Sequence, residues 1–87
     1  MSQNEIKEIL RDPFPASIYP QLSQLERNIA KMAVIDGMTS REISEALDIS
    51  IGSVNAYSRM LSSAFGVRRG KWARLVFDRI REVLEDE

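Results

Sequence analysis

Apolar residues recur along this chain at intervals of three, four and seven, the spacing of helices that each bury one face. In "SQLERNIAKMAVIDG" the stripe is Leu25, Ile29, Met32 and Ala33. It predicts a helix from near Gln24, with Gly37 placed to close it in a left-handed conformation. Ser23 and Glu26 precede that stripe at the spacing of a capping box, in which each side chain satisfies an unpaired backbone N–H near the helix start. Thr39 and Glu42 repeat the box, so a two-turn helix is expected from about Ser40 to Leu47, with Ile43 and Leu47 inward. Asp48 breaks the rhythm, Ile49 is the apolar plug of the turn, and Ser50 is placed to cap a longer helix from about Ile51 to Phe65. Val54, Leu61 and Phe65 are its inward residues, and Gly66 ends it.

The flanks follow a different pattern. Residues 3 to 10, "QNEIKEIL", fit a short helix capped by Asn4, with Ile6, Ile9 and Leu10 on one side and Asp12 and Pro13 stopping it. Pro13, Pro15 and Pro20 make "DPFPASIYPQ" an extended strap, because each proline fixes its own backbone and disfavours helix in the residue before it. Phe14, Ile18 and Tyr19 are the expected anchors of the strap; the alternative is a frayed tail. After "VRRG" a last helix is expected from about Lys71 to Leu84. Its apolar residues (Trp72, Ala73, Leu75, Val76, Phe77, Ile80, Val83, Leu84) cover more than one stripe, which implies a second surface to bury. Trp72, Val76, Phe77, Ile80 and Val83 are therefore expected at a dimer interface rather than only in a thick monomer core.

Composition narrows the chemistry. Eighty-seven residues suffice for one small domain and leave no room for a large enzyme cleft. The chain has no cysteine and no histidine, which removes disulfides, thiol nucleophiles, imidazole bases and the usual structural zinc sites. Ser62 and Ser63 have no base to activate them, while Glu42 and Glu45 are more simply a cap and a solvated face, so no catalytic residue is expected. No cofactor or metal site is expected either, and the scattered glycines form no phosphate loop. Apolar runs such as Ile29 to Ile35 are too short for a bilayer, and no signal pattern opens the chain, which makes a cytoplasmic protein without a membrane partner the default.

The formal net charge of -1 argues against a nucleic-acid partner until its distribution is considered. Arg68, Arg69, Lys71, Arg74, Arg79 and Arg81 face Asp78 alone between residues 67 and 81, and Glu82, Glu85, Asp86 and Glu87 follow. Arg79 and Arg81 also fit a solvated helix laced with ion pairs.

The order of elements, "LSQLER" at the first predicted long helix, "GMTSREISEALDIS", Val54 and Leu61, and the "FGVR" exit together resemble the LuxR/GerE-type helix-turn-helix family of bacterial transcription regulators. The resemblance spans about Leu22 to Val76 and implies an all-α, four-helix domain. Residues 1–21 would add a short N-terminal helix and Pro-rich strap, and residues 22–87 would form the DNA-binding domain with a C-terminal dimerisation helix. It further implies that helix 51–65 enters the major groove of double-stranded DNA and helix 40–47 crosses the phosphate backbone, with the last helix making a two-fold homodimer. The chain reads as a stand-alone form of the family, since its first 22 residues offer neither a small-molecule pocket nor a phosphorylation site.

On these positions the resemblance places Ser50 and Ser53 at the start of the reading helix, and Thr39, Ser40 and Arg41 at the start of the preceding one, all suited to phosphate. Thr39 is expected to serve as a cap as well. On the reading face Asn55, Ala56 and Tyr57 stand where the family often has lysine, asparagine or threonine, and histidine, and Ala64 replaces a common lysine. Arg59 is then the sole charged residue from Ile49 to Val67, which weakens the Coulombic grip. Asn55 suits adenine, Arg59 guanine or phosphate, and Ala56 a thymine methyl, against the plainer reading of Asn55 as a solvated polar residue. Tyr57 suits either a phosphate or packing against the strap. Arg68 and Arg69 flank the face.

The leading expectation is thus a sequence-specific, homodimeric DNA-binding transcription regulator. The alternative is a protein-interaction module that uses Ile51, Met60 and the C-terminal surface to bind another regulator, RNA polymerase or a phage component. A third reading, DNA packaging, is disfavoured by the "GVR" exit.

Overall fold

The computed structural model describes residues 2–86. Met1 and Glu87, the outer ends of the two expected segments, lie outside the described residues, as does the last carboxylate of the acidic run. Among the described residues the regular elements are five α-helices and one 3-10 turn, with no strand. The helices are α1 (Ser2–Arg11), α2 (Gln24–Val34), α3 (Ser40–Leu47), α4 (Ile51–Phe65) and α5 (Trp72–Glu85); the 3-10 turn, Arg69–Lys71, leads into α5.

Local hydrogen bonding sets the starts of the three central helices. The Ser23 Oγ accepts the Glu26 N–H at 3.1 Å while the Glu26 carboxylate accepts the Ser23 N–H at 2.8 Å. Thr39 and Glu42 make the same reciprocal pair at 3.2 and 2.9 Å, and Ser50 accepts the Ser53 N–H at 3.0 Å. Both expected boxes are present, so orphan donors at these starts have partners. The other ends use left-handed backbone. Gly66 closes α4 at φ 75°, and Gly37, at φ 63°, turns the chain beyond the end of α2 so that the Met38 N–H returns to the Met32 carbonyl at 3.1 Å. Asp48 adopts φ 54° between α3 and α4, a conformation that only short polar side chains tolerate without large strain.

Ile29, Ile43, Val54 and Leu61 are fully buried where α2, α3 and α4 meet, matching the inward stripes. Leu25, Met32, Ala33, Leu47, Ile49 and Phe65 pack around them partly buried. The N-terminal segment belongs to the same core. Ile9, Phe14 and Leu22 are buried with it, so the strap is packed rather than frayed. Phe14 stacks on Phe65 at 5.0 Å between ring centroids, Tyr19 meets both rings edge-on, and Trp72 closes the cluster at 5.5 Å from Phe65. The carbonyl of Pro15 accepts the N–H groups of Ile18 and Tyr19, which coils the strap into a turn and leaves Ile18 48% exposed. Ile18 is therefore not an anchor. Asn4 lies inside α1 rather than capping it.

Two expectations about α5 change. Trp72 is fully buried and Val76 is 2% exposed, so neither has surface to offer a partner; both belong to the core, Trp72 against Phe65 of α4. Much of the second apolar stripe is covered from within the chain, because α1 packs along α5 and Ile9 is buried in the same core as Val76. Ile80 and Val83 are left half-buried. The Arg79 guanidinium, which also fitted an ion-paired helix face, donates to the Pro13 carbonyl at 2.6 Å and ties α5 to the strap. Arg81 and Asp78 form an exposed pair at 3.9 Å, of the kind that contributes little.

Candidate nucleic-acid interface

α4 presents its inner face, Val54 and Leu61, to the core and turns Ile51, Gly52, Asn55, Arg59, Met60, Ser63 and Ala64 outward. Asn55 and Arg59 stand one helical turn apart, on the same outer stripe. Ala56 is half-buried at the edge of that stripe. Tyr57 is half-buried and packs against the core, which favours the packing role over a free phosphate contact. The outer face is therefore an amide, a guanidinium, small residues and two exposed apolar side chains, Ile51 at 41% and Met60 at 55%.

The start of α3 lies close by, and Arg69 shows how close. Its Nη1 donates to Ser40 Oγ at 2.6 Å on α3 and to Ser58 Oγ at 3.3 Å on α4, while Nη2 donates to the Met38 carbonyl at 3.0 Å. The same guanidinium lies 5.9 Å from the Trp72 ring centroid. One side chain thus joins the α3 start, the middle of α4 and the turn into α5. This alters two expectations. Ser40 and Arg69 were placed as phosphate contacts, yet each uses hydrogen-bonding capacity inside the chain, so they build the surface before they touch anything on it. Arg41 and Arg68, the chain neighbours of Ser40 and Arg69, are both exposed, as is Arg59 on α4, so the segments that Arg69 joins carry three solvent-facing cations.

Ser50 and Ser53 interact with each other. Ser50 Oγ accepts the Ser53 N–H and donates to Ser53 Oγ at 2.9 Å, leaving the Ser53 hydroxyl proton for an outside acceptor. Thr39 is exposed and caps α3. Glu42 is held below the ordinary carboxylate value by the hydrogen bond from the Thr39 backbone N–H and then by that from its side chain. It is ionised at neutral pH, and its charge faces the positive end of the α3 dipole.

These elements form a tri-helical unit, α2 to α4, whose last helix is supported from behind and free in front. The sequence profile of the family described as "Bacterial regulatory proteins, luxR family" (GerE) matches residues 20–70. The chain belongs to the LuxR family. The match covers the capped helices, the turn through Asp48 and Ile49, α4 and its exit, whereas α1 and α5 lie outside it. The LuxR family is one of helix-turn-helix DNA-binding regulators, so α3–turn–α4 is the helix-turn-helix of this member. No curated protein and no solved structure matches the chain. No helix among the described residues is long and apolar enough to cross a membrane.

Sequence reasoning missed two kinds of residue. Ser58 and Ser62 line a polar notch with Asn55, Arg59 and Arg69; their spacing of four was visible, but the approach of Arg69 was not. Leu10, on the apolar side of the first helix, and Leu84, one of many apolar residues of the last, are 42% and 52% exposed. Leu10 lines a small apolar groove with Val34, Ile35, Ala73, Val76 and Phe77.

Proposed function

We propose that the protein is a sequence-specific DNA-binding transcription regulator that inserts α4 into the major groove. The observation that carries this reading is the convergence produced by Arg69: it holds the α3 start against the flank of α4, beside an exposed stripe on which Asn55 and Arg59 stand one turn apart, and its sequence neighbour Arg68 and the α3 residue Arg41 are exposed as well. Asn55 offers a bidentate partner for adenine, and Arg59 one for guanine or a phosphate. Thr39, Ser53, Arg41 and Arg68 supply backbone contacts, which position the helix without reading sequence.

The regulator acts as a homodimer through α5. Ala73, Phe77, Ile80 and Leu84 follow at spacings of four, three and four, the seam of paired helices. Phe77 is 62% exposed on that seam. These residues replace Trp72 and Val76 in the interface, and two copies would set their α4 helices about 34 Å apart, one turn of DNA.

Binding of duplex genomic fragments at two salt concentrations tests the reading. Arg59→Ala is expected to weaken binding to all fragments and flatten the salt dependence, and Asn55→Ala to relax the preference among fragments. Specific binding left unchanged by Arg59→Ala would remove α4 from the interface. The exposed Ile51 and Met60 favour a second reading, a module that binds another protein through the same helix. A stable protein complex without DNA binding at low salt would select it.

A further inference from the structure

Asn55, Ser58, Arg59 and Ser62 share one stripe of α4 and, with Arg69, line a shallow notch of about 410 Å³. Two guanidinium groups, two hydroxyls and one carboxamide meet there, and the lining contains no carboxylate. Arg69 is half-buried, and its donations go to uncharged oxygens: Ser40 Oγ, Ser58 Oγ and the Met38 carbonyl. Three of its five N–H groups are thereby used, which leaves two for an outside acceptor. Among the described residues neither Arg59 nor Arg69 makes an ion pair. Ser58 Oγ accepts from Arg69, so its own proton remains available. A partly desolvated cation without a counter-charge, beside a second cation and free hydroxyl donors, is the donor set for a tetrahedral oxyanion.

We propose that this notch holds one phosphate group of the DNA backbone, gripped jointly by Arg59 and Arg69 with Ser58 and Ser62 as hydroxyl donors. The assignment rests on the reading of α4 as the DNA-facing helix. The notch is open to solvent and continuous with the stripe of Asn55 and Arg59, so a phosphate held there can remain part of a strand lying along α4. A phosphate delivered as part of a duplex lying on α4 arrives at high effective concentration. Arg69 is locked before binding, so the phosphate fixes the angle and depth at which α4 enters the groove.

The test uses the full chain, labelled with nitrogen-15 and titrated with inorganic phosphate against chloride at matched ionic strength. Saturable shifts are expected at the Arg59 and Arg69 side-chain N–H groups and at the Ser58 and Ser62 amides. Arg59→Gln and Ser62→Asp should each weaken the phosphate affinity by about tenfold or more while leaving other amides in place; Ser62→Asp spares the Arg69 hydrogen bonds and so avoids a folding defect. Random-sequence duplex DNA should displace the phosphate. Each single variant and the double variant should lower the salt slope of DNA binding by the same amount, about one phosphate. Shifts at the notch no larger than those at Arg11 and Arg81 would overturn the site. Phosphate that stays in the notch while duplex DNA saturates the protein would overturn the backbone assignment and leave a small-anion site. A double variant that loses two phosphates would overturn the joint grip. If the wild-type chain binds no duplex DNA, the DNA reading and the backbone source both fall, and notch-centred shifts would then mark a free anion.

Discussion

Arg69 joins three elements that no backbone hydrogen bond joins at that place. Its three donations come from a charged group in a half-buried setting, where such bonds contribute more than neutral ones. Arg69→Ala should lower stability by about 2 kcal/mol in urea denaturation. Arg69→Lys should recover less than half of that, because an ammonium cannot reproduce the planar fork. Asp48 carries a different local cost, its left-handed backbone. Asp48→Val should destabilise by about 1–3 kcal/mol, since a β-branched side chain strains that conformation. Glu42 links the α3 start to pH. Its folded-state pKa is depressed, so its contribution is complete above the ordinary carboxylate value and disappears as pH falls through the lowered one. The Thr39 amide, followed by NMR, should lose its cap signature in that acid range, and Glu42→Gln should abolish the dependence. The capping residues were legible from sequence because a capping box is a contact over three residues. The Arg69 staple was not, because Ser40 lies 29 positions away from it.

At the scale of elements, the helix-turn-helix and its support differ in how they are held. α2, α3 and α4 carry their own caps and inward stripes, whereas α1 and the strap depend on what they cover. Phe14, 1% exposed, is the hinge of that cover, since it contacts Tyr19 and Phe65 at once. Phe14→Ala should cost about 3–5 kcal/mol, the usual range for emptying an aromatic site. Hydrogen exchange should speed up in α1 and α5 together. Exchange that quickens in the strap alone, with α5 protected as before, would show that the strap is an independent appendage. The amphipathic pattern of residues 3–10 was enough to predict α1, but its partner was not predicted. A helix with one apolar stripe can lie on any apolar surface, and here α5 offers it one.

For the whole molecule, the question is what remains uncovered once α1 lies on α5. Phe77 and Leu84 stay exposed on α5, and Leu10 borders the groove beside Phe77. A small core gains from association, and a dimer makes its melting temperature concentration-dependent. For the proposed homodimer, Phe77→Glu places a charge on an exposed position, so the fold should survive while the light-scattering mass falls to that of one chain and the concentration dependence of Tm vanishes. An unchanged mass would count against the proposed homodimer through α5. Trp72→Ala cannot serve for this purpose, because it empties the core first.

By itself the sequence determined the helices, the capped starts of α2, α3 and α4, and the family. Those features depend on side chains three, four and seven positions apart, which interact through local geometry whatever lies beyond them. The tertiary structure alone decided which side of α5 is core, where Arg79 and Arg69 anchor, and which cations remain exposed. Each of these depends on residues distant in sequence meeting in space: Arg79 with Pro13, Arg69 with Ser40, α1 with α5. The helical repeat fixes which face of a helix is apolar, and only packing determines what covers it.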